Sequence, residues 1–255
     1  MKAWQIFRHA LRQLTRNFKA AVSVSALPLG LALIGLLLVS GDILLLSPQQ
    51  MQQRVSTGQA AGDAGRSLIA VVIFGVAFLW TAVAWHRFVL LGELSGWRPP
   101  FHGRRMAAYF GKGLLLGLIL IIPALMLMAF IAMLAASLPA GLVPYTLFLV
   151  IPAYLGLSTI TLRLATILPG VALGHQTPLL EGLTTTGGNG LVFLALVVIL
   201  ALAGLVTDLI AQALAGISLG LVFVWYIPAQ WFLTMLGLSV LTTLYGHYIE
   251  QRPLI

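Results

Sequence analysis

The sequence predicts an all-α polytopic membrane protein: six transmembrane helices as three hairpins, short interfacial helices, and both termini cytoplasmic. Three observations carry this expectation. The 255 residues are 60% hydrophobic and only 8% charged, with mean hydropathy +1.03, whereas roughly a quarter of a soluble domain is charged. Six apolar stretches each reach the ~20 residues that a helix needs to cross ~30 Å of hydrocarbon. The basic residues, finally, are distributed between those stretches with a strong bias to one side.

Residues 1–19 come first. Trp4, Phe7, Leu11, Leu14 and Phe18 recur at intervals of three and four, while Gln5, Arg8, Arg12, Arg16 and Lys19 take another face. That pattern predicts an amphipathic helix lying in the membrane interface, with Trp4, Arg8, Arg12, Arg16 and Lys19 as its anchors. The spans follow at about 20–46, 67–92, 113–138, 145–168, 190–214 and 220–246, within a single transmembrane domain covering residues 1–255. The first apolar run is longer than a secretory h-region and has no evident small-residue cleavage site, so it is expected to stay as a signal anchor.

The outer connections differ in length. Residues 47–66 form a polar loop rich in Gln, Ala and Gly (Gln49, Gln50, Gln52, Gln53, Gln59), whereas 139–144 and 215–219 barely turn the chain. The third and fourth spans, and the fifth and sixth, are therefore expected as tight hairpins. Segments 3–19, 101–112 and 178–189 each precede an odd-numbered span, a weak repeat of an interfacial segment followed by a hairpin.

The net charge of +8 would suggest nucleic acid in a soluble chain, but the charges flank apolar spans. Lys2, Arg8, Arg12, Arg16, Lys19, Arg87, Arg98, Arg104, Arg105, Lys112, Arg163 and Arg252 fall on one side, and only Arg54 and Arg66 on the other. This split reads as cytoplasmic termini, with anionic lipids of the cytoplasmic leaflet as partners and no nucleic acid. A membrane-protein partner is also open. The absence of cysteine excludes disulfides, thiolate chemistry and Cys-ligated metals.

Ionisable groups in hydrocarbon cost about 2.5–3.5 kcal/mol even on the gentler insertion scale, so those at span ends are the candidate sites. Arg87 and Arg163 each end an uncharged stretch of spanning length; they either snorkel to lipid phosphates or pair with Glu93 or Glu181. Asp42 and Asp208, near the opposite boundary, are candidates for a cation or proton site. The midplane itself is free of charge, which argues against a coupled transporter. Pro28, Pro123, Pro152 and Pro228 lie inside spans and Pro169 at the end of one, where they can kink a helix.

Catalytic motifs are absent. Gly216-Ile217-Ser218-Leu219-Gly220 matches GxSxG, but no strand precedes it, and His247 lies a full helix away. The five histidines show no HExxH spacing, no GxxxxGK[ST] occurs, and neither metal nor cofactor is predicted.

The basic start with Asn17 before the first span, the run Trp85-His86-Arg87-Phe88, and Arg163 through Pro169 followed by Glu181 and Gly188-Asn189 carry a resemblance. The chain resembles a group of uncharacterised bacterial six-helix inner-membrane proteins, similar to the membrane domain attached to some glycerophosphodiester phosphodiesterases. The resemblance implies a multi-pass bacterial inner-membrane protein with an interfacial element before the fifth span. The soluble phosphodiesterase domain has no counterpart here, so its hydrolysis does not transfer. The expected function is a non-catalytic lipid- or protein-binding membrane component; the alternative is a small transporter or substrate-binding subunit.

Overall fold

In the computed structural model, which describes residues 2–44, 53–54, 56–57, 60–93 and 96–254, the chain is all-helical, with no strand among those residues. Gln49, Gln50, Gln52 and Gln59 of the predicted polar loop lie outside them. Among the described residues six helices are long and apolar enough to cross a membrane, which makes this a multi-pass membrane protein by length and composition. The chain divides into two compact units, residues 18–106 and residues 1–17 with 107–255.

The first of these is built on α2 (Phe18–Leu44) and α3 (Ala60–Leu91), packed together as an antiparallel hairpin. Gly35 lets them approach: a Cβ there would sit 3.2 Å from the Ile73 side chain. α3 stops at Gly92, whose φ of 68° is open to glycine at little cost, and whose N–H closes onto the Phe88 carbonyl at 3.0 Å. The chain then returns along α3. Trp80 donates to the Pro100 carbonyl at 3.2 Å and meets the Phe101 ring edge-on at 5.1 Å, while Ser23 donates to the Gly96 carbonyl at 2.6 Å.

The second unit holds α1 (Lys2–Arg16), the remainder of α4 (Gly103–Ser137), a 3-10 turn over Ala140–Thr146, α5 (Leu147–Ala165), α6 (Leu168–Leu173), α7 (Glu181–Thr185), α8 (Gly190–Ala215) and α9 (Leu219–Tyr248). α4 is continuous from Gly103, so residues 103–112 form no separate interfacial segment before the third span. α8 and α9 make the expected hairpin, joined through Trp225 Nε1, which donates to the Thr207 carbonyl at 3.1 Å. The expected α4–α5 hairpin differs: α5 packs chiefly on α8 and α7, not on α4. Its C-terminal end is fastened to α7 by the contacts described below, and these outweigh the shortness of the 138–146 connection.

α1 packs on α9 and α8. Its buried residues are Ala3, Ile6, Ala10 and Leu14, spaced by three and four. Of the apolar face read from sequence only Leu14 is buried; Trp4 is 56% exposed, and Phe7 and Leu11 are partly covered. Packing selected a stripe containing two alanines, which allow close helix approach, and left the larger Trp4 outside. Near both ends of the chain, the Lys2 ammonium lies 4.7 Å from the centre of the Tyr248 ring, a cation–π distance.

Candidate functional site

In the hairpin unit ion pairs form at each end of α3. Gly92 turns Glu93 back toward Arg87, whose Nε donates to Glu93 Oε2 at 2.6 Å. The other carboxylate oxygen lies 2.8 Å from His102 Nε2. Since a carboxylate only accepts, Nε2 is the donor. Partial burial pushes the Glu93 carboxyl up, but the hydrogen bonds from His102 and Arg87 outweigh it and hold the group below its ordinary value.

A carboxyl depressed by folding contributes stability that is full above its unfolded pKa and is lost as pH falls through its folded one. Acidification below the usual glutamate range is therefore expected to loosen residues 96–102 from α3. Protection against hydrogen exchange at those amides, relative to the intrinsic rate at each pH, should fall in the native protein and stay flat with pH in Glu93→Gln, which already lacks the charge.

At the other end of this hairpin, Asp42 receives Arg66 Nη1 at 2.8 Å and stands 3.7 Å from Arg54, which also meets Asp63 at 3.3 Å. Asp42 is thus occupied by guanidinium groups. Asp208, on α8 in the other unit, is exposed and forms no ion pair among the described residues. No group of three metal-ligating side chains occurs among those residues.

In the larger unit the corresponding chemistry gathers around the connector between α6 and α8. Arg163, in the last turn of α5, sends Nε to Thr186 Oγ1 and Nη2 to the Leu183 carbonyl, both at 2.9 Å. It does not bond Glu181, one of the partners considered from sequence. Gly182 makes this possible, because the α7 backbone rests directly on the Arg163 carbonyl with no space for a Cβ. Lys112 of α4 reaches the same connector, donating to the Thr177 carbonyl at 2.8 Å. Gly174, at φ 103°, ends α6 and directs His175 to Tyr245, with Nδ1 2.8 Å from the phenolic oxygen. Thr186, Lys112 and the His175–Tyr245 pair were not singled out in the sequence; nothing in local spacing marks contacts between positions 70 residues apart.

α1 presents three sides. Ala3, Ile6, Ala10 and Leu14 face the protein. Trp4, stacked on Phe7 at 5.4 Å between ring centres, leads the uncovered apolar side. Arg8, Arg12 and Arg16 are exposed and form no ion pair among the described residues, and Lys19 follows in the first turn of α2. No acidic residue precedes Asp42 in the chain, so nothing on α1 neutralises them.

Between α8 and α9 a cavity of about 670 Å³ is lined almost wholly by apolar side chains, among them Leu202, Val206, Trp225 and Phe232. Its one hydroxyl, on Thr207, donates to the Ala203 carbonyl.

Comparison with family models, with curated proteins and with solved structures finds no match to this chain.

Proposed function

We propose that the protein is a non-catalytic, multi-pass component of a bacterial inner membrane, akin to the six-helix membrane domain attached to some glycerophosphodiester phosphodiesterases. In this reading it binds anionic lipid through α1, which lies in the cytoplasmic interface with both chain termini on that side. One observation carries it: the exposed Trp4–Phe7 side of α1 adjoins the unneutralised Arg8, Arg12 and Arg16. An aromatic wedge beside a row of cations matches the boundary between acyl chains and anionic headgroups. The cation–π approach of Lys2 to Tyr248 supports a common side for the termini.

The test is lipid enrichment around the full-length protein in nanodiscs of mixed phosphatidylcholine and phosphatidylglycerol, read by native mass spectrometry. Each basic residue near an anionic surface is worth about 1 kcal/mol before salt screening. The combined Arg8→Gln, Arg12→Gln and Arg16→Gln variant is therefore expected to lose about tenfold in phosphatidylglycerol enrichment. Raising salt should erase most of the difference. Equal enrichment of the two lipids around the wild-type protein would end this reading.

A further inference from the structure

We propose that Arg163 and Lys112 form a discrete site for a single phosphate group, carried by a phospholipid headgroup or by a soluble phosphate ester. The inference does not depend on α1. It starts from the acceptors already bound to these cations: the Thr186 hydroxyl and the carbonyls of Leu183 and Thr177. All three are neutral. They fix the direction of each side chain without cancelling its charge.

The guanidinium has five N–H donors, and the two contacts to the connector use the Nε/Nη2 edge. Its end-on Nη1/Nη2 edge makes no hydrogen bond among the described residues. Two parallel donors at that spacing fit two oxygens of a phosphate, a geometry that lysine cannot reproduce. Lys112 likewise keeps donors beyond the one given to Thr177. Both cations donate to the same ten-residue connector, Lys112 at Thr177 and Arg163 at Leu183 and Thr186.

Most of the protein's carboxylates are engaged away from them. Of its six acidic residues, Asp42, Asp63, Glu93 and Glu250 are ion-paired with arginine or histidine partners elsewhere. Asp208 lies about 18 residues along α8 from its start, ~27 Å at 1.5 Å per residue. Glu181, on α7, bonds neither cation, so even counting it the connector retains net positive charge. Arg163 is also half-buried at the end of a span-length apolar helix, where an unneutralised cation is costly. An external anion supplies the missing charge, and a phosphate fits the open edge.

The experiment titrates the full-length protein in a neutral detergent with dioctanoyl phosphatidylglycerol, glycerol 3-phosphate, inorganic phosphate and dioctanoyl phosphatidylcholine. Native mass spectrometry counts what is bound, and calorimetry gives affinity. Saturable binding of one anionic equivalent is expected, with none of phosphatidylcholine. Arg163→Lys keeps the charge but loses the fork and should weaken binding about tenfold; Lys112→Gln should weaken it as well. The triple α1 variant should bind as the wild type does, which separates this site from the α1 surface. Phosphatidylglycerol alone binding identifies a headgroup, whereas glycerol 3-phosphate or phosphate binding comparably identifies a soluble ester. Absence of saturable anion binding to the wild-type protein overturns the proposal. So does undiminished affinity in Arg163→Lys and Lys112→Gln proteins with native helical content.

Discussion

Replacing Gly182 with alanine is expected to destabilise the larger unit sharply, although alanine is the better helix former by about 1 kcal/mol. The glycine lies in α7, where propensity alone predicts a gain. Its missing Cβ, however, would run into the carbonyl oxygen of Arg163, a backbone atom that cannot rotate aside. Relief requires α7 to move off α5, and that motion breaks both hydrogen bonds from the Arg163 guanidinium. Overpacking in a fitted contact costs about 1–3 kcal/mol, and each lost bond to a charged donor about 1.5–3 more. A fall of many degrees in the melting temperature in detergent is the expected result. Gly170→Ala provides the comparison. There the obstacle is the Tyr245 ring, which can shift at the expense of its bond to His175, so its loss should be clearly smaller. Equal melting temperatures for Gly182→Ala and wild type would refute the close approach.

These contacts show where the sequence was legible. A bilayer imposes a length on every apolar run, so the six long helices could be read from hydropathy and the alternation of charged connections. The partner of Arg87 was readable only as a choice among lipid phosphates, Glu93 and Glu181. What selects Glu93 is the left-handed turn at Gly92, a single dihedral that no periodicity encodes. Arg163 looked equivalent to Arg87 in position, yet its acceptors are a hydroxyl and a carbonyl brought in by the seating of α7. Such contacts depend on helix rotation, which packing sets and hydropathy does not. The α4–α5 connection illustrates the same limit. A short turn suggested neighbours, but α5 found more to pack against in α8 and α7.

The rotation of α1 leads to the last expected result, because its two apolar sides should respond differently to mutation. Ile6 is fully buried against the helices that α1 packs on, whereas Trp4, only two positions away, is more than half exposed. Ile6→Ala removes methylene groups from a closed contact and should cost about 2–5 kcal/mol, depending on how far α1 can settle onto α9. Trp4→Ala removes a far larger side chain, yet most of what it deletes touches no protein; its effect on stability in detergent should fall within about 0.5 kcal/mol, as for ordinary surface changes. In anionic nanodiscs the order should reverse. Trp4→Ala should weaken protection of the α1 amides against hydrogen exchange relative to zwitterionic nanodiscs, since the indole is the anchor proposed for the interface. If Trp4→Ala destabilised the detergent-solubilised protein as much as Ile6→Ala, Trp4 would have to be packed against protein. The division of α1 into a protein side and a lipid side would then be wrong, and with it the basis for reading this helix as an interfacial lipid-binding element.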